Sequence, residues 1–179
     1  ERQRENRGFG KGFIVTKPNC AVVSFAPPLA ALHRRFGIES VIVTTMQAIS
    51  GAGYPGVASL DITDNVFPYI AGEEPKVEIE AQKILGTLTP NGIQKADFTV
   101  SAQCFRVNVI DGHTASVRVN LKETATLEDV VEAMRSFPSL DLHSSPKRFI
   151  DVTDEPTRPQ PRLDRDNGDG MTITVGRVF

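Results

Sequence analysis

The sequence predicts an α+β domain: a largely antiparallel or mixed sheet covered by helices. Three observations carry that prediction. β-branched and aromatic residues gather in short runs bounded by turn residues. Three segments place apolar residues at helical spacing. No internal repeat and no second core is visible, so residues 1–179 read as one domain, long enough to bury a real core.

The first predicted strand is Gly12–Thr16. A helix follows Cys20 in KPNCAVVSFAPPLAALHRRFG, where Pro28 would clash with the carbonyl of Ser24; the expectation is a kink or a short first helix. A strand over Glu39–Ser50 comes next, then a glycine- and proline-rich stretch, residues 50–72, that reads as a long loop. The second helix lies in EPKVEIEAQKILG, with Pro75 at its first position, Gly86 as its stop and an apolar stripe of Val77, Ala81, Ile84 and Leu85. Strands over Ala96–Val109 and Thr114–Leu121 follow. In the latter, Val117, Val119 and Leu121 alternate with polar residues, the period of a half-buried strand.

The third helix lies in TLEDVVEAMRSF. Thr126 and Asp129 make a capping-box-like start, and Leu127, Val130, Val131, Met134 and Phe137 recur at helical spacing. Strands over Arg148–Val152 and Met171–Val178 flank Asp154–Gly170, whose three prolines and closing turn cluster suggest a connector or an arm. The chain stops on the alternating apolar run MTITVGRVF, an edge that needs pairing or cover, so a piece of a longer protein is expected.

A formal net charge of −2 gives no reason to expect nucleic acid or an anionic membrane as partner. No apolar run approaches the roughly 18 residues of a membrane-spanning helix, and ERQRENRG is not a secretory signal. Two cysteines make no disulfide framework, so a reduced, cytoplasmic setting is expected.

Cys20 follows Pro-Asn at the start of a helical run. A helix start favours the reactive thiolate, while free cysteine is also among the most buried residue types, so the stretch alone supports either reading. Three histidines could serve such a thiol: His33 near a helix end, His143 in a loop, and His113 after the Asp111-Gly112 turn. His113 is the best placed, because a turn can aim a side chain out of the sheet. Arg106 lies seven residues earlier, a parity that only the intervening turn can bring to the same site. Glu80 and Lys83 share a helix face as a surface pair or as site residues, although Glu80 sits on the margin of the apolar stripe. Gln47 precedes the glycines of SGAG, which permit close backbone approach; it caps a turn or lines a site.

PNC, TTMQAISGAGYPG, VEIEAQKILG, CFRVNVIDGHT and PQPRLDRDNGDGMTITVGRV occur in one order, and that order resembles aspartate-semialdehyde dehydrogenase of the archaeal and fungal type. The resemblance implies a domain like the glyceraldehyde-3-phosphate dehydrogenase C-terminal domain, and NADPH-dependent reductive dephosphorylation of β-aspartyl phosphate. It implies Cys20 as nucleophile and His113 as its acid/base partner. Arg106 would bind the substrate α-carboxylate, Glu80 its amino group, Lys83 its phosphate, and Gln47 would orient the acyl group, with Asn19 adjoining the oxyanion. It further implies a homodimer paired through its sheets, or a homotetramer in the parent, working in the cytoplasm. The family's glycine-rich cofactor turn and final helix have no match here, so the chain is expected to be the catalytic and dimerisation domain, inactive alone. Other readings are a related acyl-phosphate reductase such as the N-acetylglutamyl-phosphate enzyme, a Cys/His hydrolase, or a non-catalytic dimerisation module.

Overall fold

The computed structural model describes Gly8, Gly10, Gly12 and residues 15–179. The strand expected over Gly12–Thr16 falls partly outside the described residues, and Val15 and Thr16 carry no regular structure.

Helix α1 (Cys20–Phe36) is capped by Asn19, whose side-chain oxygen accepts from the N–H groups of Ala21 and Val22. Of the two outcomes expected from Pro27 and Pro28, a kink or a short first helix, the short helix is not found: α1 runs for 17 residues with both prolines inside it. An interior proline costs about 3 kcal/mol, whereas burying one large apolar side chain contributes about 1.5–3 kcal/mol. α1 buries Val22 and Phe25 before the prolines and Leu29, Leu32 and Phe36 after them, so packing outweighs the local cost. Gly37, at φ 65°, turns the chain directly into β1 (Ile38–Gln47). The strand runs back along the helix, which brings Cys20 and Gln47 to the same end of the domain.

A 3-10 turn (Ile49–Ala52), the one-turn helix α2 (Ser59–Ile62) and the two-residue β2 (Val66–Phe67) punctuate the segment expected to be a loop. Then come α3 (Glu73–Ile84), the hairpin of β3 (Thr87–Thr89) and β4 (Gly92–Gln94), β5 (Thr99–Val107) and β6 (Thr114–Leu121). α4 (Leu127–Arg135), β7 (Ile150–Thr153), α5 (Pro161–Asp164) and β8 (Ile173–Gly176) complete the described elements. The main sheet has the order β2-β5-β1-β6, with β1 parallel to β5 and antiparallel to β6. The expected α+β class with a mixed sheet is borne out.

α1 and α3 cover one face of this sheet, where Val22, Phe25, Leu29, Val41, Val43, Val77, Ala81 and Cys104 form a core cluster. On the other face of β1, Ile42 is 54 % exposed. A second cluster joins Ala31, Leu32 and Phe36 of α1 to Ala133 and Met134 of α4 and Ile150 of β7. The capping box at Thr126 and Asp129 is present as expected. Leu127 stays exposed, because packing against α1 begins a turn later, at Val130.

α3 starts two residues before the expected position, so Pro75 is its third residue rather than its first. The N–H groups of a helix's first turn have no intrahelical partner, and a proline is tolerated there. Ile84, expected in the apolar stripe, is exposed, and Leu85 packs on the core instead. Leu85 N–H keeps the helical bond to the Ala81 carbonyl, and Gly86 N–H then closes the helix on the Lys83 carbonyl. A Cβ on Gly86 would land on the Gln94 carbonyl of the β3–β4 hairpin. Gly86→Ala is therefore expected to lower stability by about 1–3 kcal/mol, read as a lower midpoint in urea unfolding.

Beyond its short pairing with β2, the edge of β5 is closed by α3. Glu78 accepts from the Ala102 N–H (3.1 Å) and Glu74 from the Cys104 N–H (3.4 Å). The segment Asp154–Gly170 is an ordered crossover between the parallel strands β7 and β8. Buried Asp164 organises it, accepting from the Arg158 guanidinium and the Gln160 N–H. The Arg158 hydrogen bonds hold this carboxyl below the usual carboxylate range.

Candidate active site

The parallel strands β1 and β5 end together, Gln47 opposite Arg106. The chain then crosses over the end of β1 to reach β6, tied down by Ile49 N–H to the Val109 carbonyl and Ser50 N–H to the Ile110 carbonyl. The start of α1 faces this same end. A crevice at the carboxyl ends of parallel strands beside a helix start is a common ligand site. Here it holds a cavity of about 410 Å³ lined by Lys17, Cys20, Ser50, Gly51, Asp111 and His113.

Cys20 is the first residue of α1 and half-buried, whereas Cys104 lies in the core, where burial pushes its thiol pKa up. Asn19 caps the N–H groups of Ala21 and Val22, and among the described residues nothing accepts the Cys20 N–H. That donor stays available to charge developing beside the thiol. Residue 19 is gripped from α3 twice: its backbone N–H donates to Glu80 Oε2 at 2.7 Å and its Nδ2 to Glu73 Oε1 at 2.8 Å. Gln47, 1 % exposed, donates through Nε2 to the same Glu73 oxygen at 3.1 Å.

His113 Nδ1 accepts from the Ala48 N–H at 3.0 Å. A neutral imidazole bonded in this way carries its proton on Nε2. Burial, and then the Arg106 guanidinium, lower the His113 pKa from its ordinary value. Arg106 is itself buried and donates from Nη1 to the Ala48 carbonyl at 2.6 Å. Residue 48 thus holds His113 through its N–H and Arg106 through its carbonyl. A Cβ on Gly51 would come within 2.9 Å of Arg106 Nη1 and 3.0 Å of His113 Cε1, so the glycine is what lets both side chains meet here. The turn is braced by Asp111, whose Oδ1 accepts from Ser50 Oγ and the Gly112 N–H; the Ser50 bond leads in lowering its pKa.

Asn19, Cys20, Gln47, Glu80, Arg106 and His113 therefore gather at one end of the domain. Of these, Cys20 and His113 line the cavity, while Asn19, Gln47, Glu80 and Arg106 stand behind it; Lys83 is exposed, lies off the cavity and forms no salt bridge among the described residues. His33 packs against Phe98 near the far end of α1, and His143 borders a separate surface cavity. Sequence reasoning missed Lys17, Ser50, Asp111 and Glu73. The signal for Glu73 was present: 73, 77, 80 and 81 follow the spacing of one helix face, once the helix is started early enough to include it.

Residues 29–179 match the family profile described as semialdehyde dehydrogenase, dimerisation domain. The chain belongs to that family. It is 53 % identical, over 99 % of its length, to the aspartate-semialdehyde dehydrogenase of Archaeoglobus fulgidus, covering 51 % of that protein. Against the enzyme of Aspergillus fumigatus the identity is 51 %, over 98 % of this chain and 51 % of the relative. The fold superposes on the crystal structure of the Candida albicans enzyme with NADP at a TM-score of 0.85 and 42 % identity, covering 98 % of this chain and 52 % of that one. The family resemblance read from the motifs is borne out. The chain spans about half the length of the curated relatives it matches.

Proposed function

We propose that this domain supplies the nucleophile and the substrate-binding groups of an NADP-dependent aspartate-semialdehyde dehydrogenase. The observation that carries the reading is the convergence of Cys20, at the start of α1, with His113 on one cavity, backed by buried Arg106. In the direction of reduction, the Cys20 thiolate attacks the acyl carbon of β-aspartyl phosphate. The S–C bond forms, the C–O bond to phosphorus breaks, and inorganic phosphate leaves a thioacyl enzyme. The Cys20 N–H and His113 Nε2–H stabilise the oxyanion. With Nδ1 engaged by Ala48, His113 enters this step as a donor from Nε2, the acid half of the acid/base role that the resemblance implies and not the base half. Glu80 keeps Oε1 for the substrate ammonium while Oε2 holds residue 19, an arrangement suited to a free amino acid rather than an N-acylated one. Arg106 takes the α-carboxylate and Gln47 orients the acyl group. Lys83 is assigned the phosphate on the resemblance alone.

NADPH supplies the hydride that reduces the thioacyl group in the full-length enzyme. The described residues do not fit its grip: the glycines after β1 open a four-residue 3-10 turn rather than a helix that could cradle a pyrophosphate. Turnover therefore belongs to the longer protein, and the 179-residue chain alone is expected to show none. We place the protein in the cytoplasm, with a second copy paired through the sheet face that carries exposed Ile42. The assay that tests the reading is phosphate-dependent NADP reduction by a full-length protein carrying this domain, using aspartate semialdehyde.

The neutral state of His113 gives a pH prediction. Its lowered pKa means the imidazole stays neutral until the pH falls below the ordinary value of about 6.5. Protonation then makes Nδ1 a donor and breaks the Ala48 bond. The acid limb of kcat/KM is expected below about 6.5 and absent in His113→Asn; a limb above neutrality that survives the substitution contradicts it. Stability follows the same sign. The unfolded chain takes the proton first, so the contribution of neutral His113 is full above about 6.5 and declines as the pH falls.

A further inference from the structure

The proposed chemistry leaves Glu73 without a task, and its surroundings supply one. It is 8 % exposed, and a buried carboxylate is tolerated only where it is well hydrogen-bonded. Among the described residues it forms no salt bridge; its partners are two side-chain amides, Asn19 Nδ2 and Gln47 Nε2, both on Oε1. A side-chain amide has a donor end and an acceptor end, and its neighbours choose between them. Taking Nδ2 of Asn19 leaves Oδ1 on the Ala21 and Val22 N–H groups, the orientation that caps α1 directly beside Cys20. Taking Nε2 of Gln47, with Thr45 Oγ1 also accepting at 3.3 Å, turns that amide's oxygen to the opposite side.

We infer that Glu73 is a positioning residue that locks the Asn19 and Gln47 amides in register, fixing the start of α1 against the end of β1. This rests on the reaction proposed above for its catalytic meaning. Glu73 touches neither the cavity nor the reacting atoms; it acts through residues 19 and 47. Glu80, two turns further along α3, holds the backbone of the same asparagine, so one helix face clamps the nucleophile's cap from both sides.

The test compares Glu73→Met, which keeps the volume but cannot accept, with Glu73→Gln, which can, in the 179-residue chain. In the Met variant the Ala21 and Val22 amides are expected to exchange with deuterium about fivefold faster, the size of a lost N-cap, while amides of β1 and β5 keep their protection. Glu73→Gln is expected to stay within about twofold of wild type in exchange, and to move the Asn19 and Gln47 side-chain amide protons upfield as a neutral acceptor replaces a charged one. Unchanged exchange in the Met variant overturns the inference. Where that variant loses the sheet, unmoved Asn19 and Gln47 signals in the Gln variant overturn it. Alkylation of wild-type Cys20 by iodoacetamide, mapped against Cys104, tests the nucleophile separately. A Cys20 that reacts no faster than one in an unfolded peptide removes the catalytic reading, and the exchange data still decide on Glu73.

Discussion

Cys20→Ser in the full-length enzyme is expected to lower kcat for phosphate-dependent NADP reduction by at least about 10⁴-fold, with little change in KM. A serine hydroxyl needs a base to become a nucleophile, and the histidine that shares its cavity is not free to serve as one. His113 Nδ1 is occupied by the Ala48 N–H, which leaves a proton on Nε2 and no lone pair there to take another. The substitution exchanges one sulfur for an oxygen at a half-buried helix start, so the fold and the substrate contacts are expected to remain. Cys104 is the internal control: it is fully buried on β5, and Cys104→Ala is expected to leave kcat within the range of a modest packing defect. Loss of activity in the Cys104 variant with activity retained in Cys20→Ser would reverse the assignment.

Arg106→Leu is expected to produce the second-largest effect, mainly in KM for the semialdehyde. Truncating one partner of a buried, hydrogen-bonded charge pair costs about 2–5 kcal/mol, or about 30- to 4,000-fold in kcat/KM. Arg106→Lys is expected to recover little of this. A lysine keeps the charge but not the planar fork, and one head group must then serve both the Ala48 carbonyl and the substrate carboxylate. Steady-state kinetics with varied semialdehyde at saturating phosphate and NADP separate the effects. An unchanged KM in Arg106→Leu would place the carboxylate elsewhere.

Much of this architecture was legible in the residues. Thr114–Leu121 was read to its ends, because alternation and a preceding Asp-Gly turn define that strand locally. The capping box of α4 was legible for the same reason: both partners sit within one turn. What failed was set by distant contacts. The two prolines of α1 argue locally for a kink or an early end, yet the helix runs on through them, held by two core clusters that no short window reveals. Ile84 looked apolar and in phase, yet it is exposed while its neighbour Leu85 packs on the core. In the site, Cys20, His113 and Arg106 were visible as residue types with the right chemistry. Their meeting depends on the crossover above β1 and on Gly51, and Glu73 became readable only when the true start of α3 placed it on the inner face.

The proposed function depends above all on Cys20 forming a covalent bond to the substrate. The most direct measurement supplies a full-length enzyme carrying this domain with β-aspartyl phosphate while NADPH is withheld, then follows phosphate release and maps the acylated peptide by mass spectrometry. A burst of about one phosphate per active site is expected, with the acyl group on Cys20 and none in Cys20→Ser. Full turnover with NADPH but no acyl group on Cys20, or an acyl group on another residue, would contradict it.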